Sequence, residues 1–200
     1  MKSSSSKQVS SNTYQLRLSL GLEGPYGHTL PLHNFDTVVM VIGGTGISTA
    51  IPYIHDRISR AALSSSSHYR QNSPTPKIML VWTARNRALI QQICDGQLAD
   101  ALVRGYFEGR FYCTESDTIE NGTGNIDEEH KQEKMVIHWG RPDVEDIIFS
   151  AGKEAQDTNT RLAIMACGPA EMTDAARRGV HGALKNGCRE IRYFEEAYGW

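Results

Sequence analysis

The chain of 200 residues has no apolar run near the roughly 18 residues that a membrane-spanning helix needs. Its opening, MKSSSSKQVSSNT, lacks the apolar centre of a signal peptide. There are four cysteines, Cys94, Cys113, Cys167 and Cys188, and no two lie closer than 19 residues. That spacing excludes a CxxC metal or redox motif, and no metal site is expected. Charge of either sign is not in excess, with 21 Lys and Arg against 23 Asp and Glu and a net charge of −2, so no nucleic-acid partner is expected. The absences describe, for the chain taken alone, a soluble cytosolic protein with reduced thiols. Its length suffices for one sizeable α/β domain.

Hydropathy patterning supplies the elements. Residues 1–13 are Ser-rich and expected to be disordered. Tyr14–Leu20 alternates apolar and polar residues, the period of a half-buried strand, and a connector rich in Gly and Pro follows up to residue 36. The pattern then changes to continuous apolar runs at Val38–Ile42, Lys77–Ala84 and Arg161–Ala166, as strands covered on both faces require. Phe107–Cys113, Met135–Trp139 and Ile191–Phe194 are shorter strand candidates. Between them the periodicity predicts helices over Ile47–Leu63, Asn86–Val103 (with Leu89, Ile93, Leu98 and Leu102 inward), a segment opened by Pro142 and Asp143, and Ala170–Asn186, closed by Asn186-Gly187. Residues 64–76 form a polar loop, and 113–134 a polar, acidic surface insertion. Strands alternating with helices over 37–200 predict an α/β fold with a doubly wound parallel sheet.

The stretch VVMVIGGTGISTAIPYI, Val38–Ile54, carries the first chemical signal. Gly43, Gly44, Thr45, Gly46, Ile47 and Ser48 join a buried strand to a helix, where a pyrophosphate can meet backbone N–H groups and the positive end of the helix. Thr45, Ser48 and Thr49 add hydroxyls. GK[ST] is missing, so this is no P-loop, and Thr49 stands where a GxGxxG turn has its third glycine. The strand after the turn ends Ala84-Arg85-Asn86-Arg87, with cations where an NAD site has a carboxylate. A ribose 2′-phosphate fits such cations through charge-assisted bonds, which favours NADPH over NADH and Arg85 as its ligand. Arg87 fits a surface cap equally well. No Tyr is followed four residues later by Lys, which argues against a short-chain dehydrogenase.

LEGPYG, VIGGTGIS, WTAR, GRPD, ACGPAEMTDAARR and the terminal YFEEAYGW occur in this order along the chain. Together they resemble the C-terminal NAD(P)H-binding region of the ferredoxin-reductase superfamily, in the branch of fungal ferric (metallo)reductases, relatives of the NADPH oxidases. The resemblance runs from about Leu22 to Trp200, apart from the two polar segments. It implies a Rossmann-like domain of the ferredoxin-reductase NADP-binding type over 37–200. Residues 14–36 would then be the end of an FAD-binding β-barrel and its connector. Gly43–Ser48 would hold the pyrophosphate of NADPH and Arg85 the ribose phosphate. Cys167, Gly168 and Pro169 would lie against the nicotinamide, with Cys167 a soft contact rather than a nucleophile. Gly24, Pro25, Tyr26 and Gly27 would lie at the junction with the flavin domain. Trp200 would stack on the flavin, the alternative being a packing role for a tail residue. Glu195 and Glu196 would stand near the flavin or form a solvated pair.

The function so implied is hydride transfer from NADPH to FAD, with single electrons passing through hemes of a membrane domain to Fe(III) or Cu(II) chelates. The place would be the cytosolic face of a membrane, the plasma membrane by resemblance. A complete relative carries heme-bearing spans and a full flavin barrel with a His-Pro-Phe-type motif, neither of which is in this sequence. The expectation is a fragment, a truncated product or a free-standing NADPH module, with heme only in an absent domain and weak FAD retention by this chain alone. An NADPH oxidase-type domain and an NADPH-binding module without turnover are the alternatives.

Overall fold

A computed structural model describes residues 29–65, 77–115 and 135–196. The expected strand Tyr14–Leu20, the Gly24–Gly27 turn, most of the two polar segments and Trp200 lie outside the described residues.

Six strands form one sheet in the order β4-β3-β2-β1-β5-β6, and every neighbouring pair is parallel. They are β1 Thr37–Gly43, β2 Lys77–Ala84, β3 Phe107–Cys113, β4 Ile137–Trp139, β5 Leu162–Cys167 and β6 Ile191–Glu195. The helices are α1 Ile47–Ser65, α2 Arg87–Asp95, α3 Ala99–Leu102, α4 Val144–Asp157 and α5 Ala170–Lys185. Alternation along β1 sorts them into two layers. Val38, Met40 and Ile42 face a core shared with α1, α2 and α3, while Val39 and Val41 face one shared with α4 and α5. This is the doubly wound α/β architecture, and chain direction across the sheet reverses between β1 and β5. Their register sets Ile42 opposite Cys167, so both strands deliver their carboxyl ends to one place.

The expected helix over 86–103 is two helices. Asn86 caps the first, its side chain accepting from Leu89 N–H at 3.1 Å, and Gly96 ends it, donating to the Gln92 carbonyl at 3.0 Å. The inward face is therefore Ile90 and Cys94, both fully buried, while Leu89 is exposed. Leu98 returns to the core after the break. Cys113, where the polar insertion was expected to begin, is buried as the last residue of β3. Asp143 caps α4 by accepting from Asp146 N–H at 3.0 Å. At the end of α5, Gly187 (φ +98°) donates to the Leu184 carbonyl and Cys188 to the Ala183 carbonyl, both at 3.1 Å, a Schellman stop.

The connector before β1 is bolted to α1. Tyr53 Oη accepts from Leu30 N–H at 3.0 Å. One turn further along α1, Arg57 is 4% exposed and donates to the carbonyls of Leu32 (2.8 Å), Phe35 (3.1 Å) and Asp36 (3.2 Å). Asp36 in turn grips Arg161 at the start of β5, accepting from its backbone N–H at 2.8 Å and from its guanidinium at 3.1 and 3.2 Å. That guanidinium holds the Asp36 carboxyl below its usual range.

Candidate functional site

The sheet's reversal opens a cleft of about 420 Å³ above the carboxyl ends of β1 and β2. Gly43 and Gly44 form its floor, and Thr83, Ala84 and Arg85 its wall at the end of β2. Thr114, Arg141 and Pro142 line the side towards β3 and β4, and Pro169, Glu171 and Met172 line the side of α5. Across the rim Arg141 Nη1 meets Glu171 Oε2 at 3.2 Å, with both side chains more than three-quarters exposed. Such a pair is worth at most about 1 kcal/mol and yields readily to an anionic ligand.

Gly44–Gly46 make a single 3-10 turn that runs into α1. Gly44 has φ +53°, a left-handed conformation that other residues adopt at a cost, and a Cβ there would meet nothing within 4 Å. The turn thus presents bare backbone to open space. No acidic residue lies in the first turn of α1, whereas α4 opens with its Asp143 cap and with Glu145 and Asp146. Positive potential at the head of α1 is left for a ligand to neutralise.

The ends of β1 and β5 touch through backbone. A Cβ on Gly168 would stand 3.1 Å from Gly43 N, 3.2 Å from Gly43 Cα and 2.1 Å from Met172 Cε. The close approach that Gly168 permits in this structure is to Gly43 and Met172. Cys167 is 2% exposed, with its thiol packed on Gly46. Burial pushes that thiol above its usual range, partly offset by a hydrogen bond with Thr49, and so favours the protonated form near neutrality.

Of the residues expected to hold the dinucleotide, Gly43, Gly44, Arg85 and Pro169 line the cleft. Thr45 and Ser48 are exposed beside it, and Gly46, Ile47 and Cys167 are buried beneath. The Ser48 hydroxyl donates to the Thr45 carbonyl at 2.9 Å, so its proton shapes the turn. Arg85 is exposed and has no carboxylate partner among the described residues. Arg87 has its guanidinium 5.8 Å from the ring centre of Trp139, at the end of β4. Glu195 is tied down: Arg177 contacts its oxygens at 2.5 and 2.7 Å, and Tyr193 Oη donates to it at 2.8 Å. Burial, with Glu195 as acceptor, pushes the Tyr193 hydroxyl well up. Glu196 N–H donates to the Ala166 carbonyl at 3.0 Å, keeping the chain beside β5.

Three contributors were not singled out from sequence. Thr83 Oγ1 is buried in the cleft wall with no hydrogen-bond partner among the described residues. Arg141 comes from the GRPD motif, which gave the position but not its place on the rim. Trp82 Nε1 donates to the Gly44 carbonyl at 3.0 Å, and no periodicity signals that bond.

A bare glycine turn at the switch point of a doubly wound sheet defines a dinucleotide-binding domain. The chain belongs to the ferric reductase NAD binding domain family, whose model matches residues 35–181. Among curated relatives, it is 26% identical over 189 residues to ferric reductase transmembrane component 5 of Saccharomyces cerevisiae, covering 89% of this chain and 25% of that protein. It is 25% identical over 219 residues to component 3 of the same yeast, covering 97% and 29%. Ferric reductase transmembrane component 1 of Schizosaccharomyces pombe is 28% identical over 155 residues, covering 76% and 25%. The chain thus spans about a quarter of the length of the curated relatives it matches. Ferredoxin-NADP+ reductase from Plasmodium falciparum, a solved structure, aligns with a TM-score of 0.40 at 12% identity, covering 86% of this chain and 60% of that one. No helix among the described residues is long and apolar enough to cross a membrane.

Proposed function

We propose that this chain is the NADPH-binding part of a transmembrane ferric- or cupric-chelate reductase, on the cytosolic face of the membrane. Bound NADPH would supply hydride chemistry to a flavin, with single electrons going on by heme to Fe(III) or Cu(II) chelates in a full-length protein. The residues present fit the dinucleotide. The open backbone of Gly44 and the acid-free first turn of α1 suit a pyrophosphate. The orphaned Thr83 hydroxyl suits a ribose oxygen. Arg85, exposed on the cleft wall just after β2, suits a 2′-phosphate. Pro169 and Met172, beside the Gly43–Gly168 contact, offer an apolar wall for the nicotinamide end. The role of the protein is to hold and orient the coenzyme.

The observation that carries the reading is Arg85, a guanidinium with no carboxylate partner among the described residues, where an NAD-selective site would place a carboxylate. One charge-assisted bond to phosphate is worth about 1.5–3 kcal/mol, or roughly 10- to 150-fold in affinity. Calorimetry on the full chain should find NADP+ bound at least tenfold tighter than NAD+, and Arg85→Ala should abolish most of the difference. Equal affinities in the unaltered chain would refute the NADPH assignment.

A further inference from the structure

We infer that Trp82 is a positioning residue for coenzyme binding: its indole N–H latches the Gly44–Thr45 peptide with the Thr45 N–H turned outward as an anion donor. The inference rests on the dinucleotide reading of the cleft. In a trans peptide the carbonyl and the N–H of one unit point in opposite directions. The Gly44 carbonyl is drawn inward by two donors, Trp82 Nε1 at 3.0 Å and the Ile47 backbone N–H. The N–H of the same unit belongs to Thr45, and it must therefore face away from the core, where Thr45 is exposed. The next carbonyl, that of Thr45, is held in the same way by Ile47 N–H and the Ser48 hydroxyl, which fixes the Gly46 N–H.

Glycine at 44 makes this arrangement necessary. Its conformational freedom allows the left-handed turn and equally allows the peptide to flip. A flipped unit would aim a carbonyl oxygen at the phosphate position and repel it. Trp82 can act as a fixed latch because nothing about it is free to move. It is fully buried in β2, between Ile42 and Phe111 in register, with its ring edge-on to Phe111 at 6.4 Å. Without the indole donor the Gly44 carbonyl keeps its bond from Ile47, so the fold survives while the peptide gains freedom.

The variant Trp82→Phe keeps an aromatic ring and removes the donor. Calorimetry should show NADP+ binding weakened about tenfold or more, the loss of one amide–phosphate bond. Adenosine 2′-monophosphate, which lacks the pyrophosphate, should bind within about twofold of the unaltered chain. Equal weakening of both ligands, or of neither, overturns the inference. If Trp82→Phe does not fold, the benzothienyl isostere of tryptophan at position 82 keeps the ring shape and still lacks the N–H. Inorganic pyrophosphate gives an arm that does not depend on the coenzyme. It should shift the Thr45 amide resonance in the unaltered chain and not in the variant, and the absence of that contrast overturns the latch. A chain that binds pyrophosphate through Thr45 but neither NADP+ nor adenosine 2′-monophosphate would refute the NADPH reading and leave the latch standing.

Discussion

Replacing Arg57 by Met removes the one buried cation among the described residues and leaves its aliphatic stem largely in place. The Leu32 carbonyl, 2.8 Å from Nη1, belongs to a residue 1% exposed and keeps only its bond from Phe35 N–H at 3.2 Å. Losing the bond from a charged donor there costs about 1.5–3 kcal/mol. The Phe35 and Asp36 carbonyls are only partly buried and rehydrate, at about 0.5–1 kcal/mol each. Burial already depresses the Arg57 guanidinium, so about 1 kcal/mol returns when the desolvated charge is removed. The net loss is about 1.5–4 kcal/mol. In a domain of this size that lowers the melting temperature by roughly 3–16 °C. Urea unfolding of the full chain gives the free energy, and amide exchange over residues 32–36 locates it, since the loosened segment should exchange before β1 does. A loss under about 1 kcal/mol, or unchanged exchange in the connector, would refute the clamp. Arg57→Lys should behave like Arg57→Met, because one ammonium cannot span three carbonyls.

Other perturbations probe other joints. Gly168→Ala pushes a methyl group to within 3.1 Å of Gly43 N and should cost about 1–3 kcal/mol in urea unfolding, because backbone on that side cannot yield; a neutral substitution would show that β1 and β5 do not meet as described. The Asp36 carboxyl is held low by the Arg161 guanidinium. Its stabilisation is therefore complete above the unfolded-state value of about 3.9 and is lost as pH falls through the lower folded value. Asp36→Asn should trail the unaltered chain at pH 7, the gap should close progressively as pH falls below about 3.9, and a gap independent of pH would contradict this coupling.

Much of this architecture is legible in the sequence because burial on both faces writes a strong pattern. Lys77–Ala84 is a strand to the residue, and the Asp143 cap and the Asn186-Gly187 stop mark helix ends through chemistry that is local in the chain. The break between α2 and α3 was hidden. Leu89, Ile93, Leu98 and Leu102 look like one stripe, and a lone Gly96 only weakens such a pattern without ending it. At the site, the glycine turn and Arg85 could be read because they border a strong strand. The Trp82–Gly44 bond joins residues 38 apart, and the Arg141–Glu171 pair joins residues 30 apart. Such pairings depend on how strands stack side by side, which one sequence does not record.

The backbone contact between Gly43 and Gly168 sets a ruler. The spacing between the turn at one strand end and the wall at the other is fixed by main chain meeting main chain, with no side chain between to lengthen or shorten it. Residues around the rim, Arg85, Thr114, Arg141 and Glu171 among them, can then be exchanged without altering that span. Under the NADPH assignment proposed above, coenzyme preference becomes a separable module: it can be retuned on the walls while the reach from phosphate grip to reacting ring stays at one length. An engineer seeking an NADH-dependent version should accordingly rewrite the end of β2 and leave the two glycines alone.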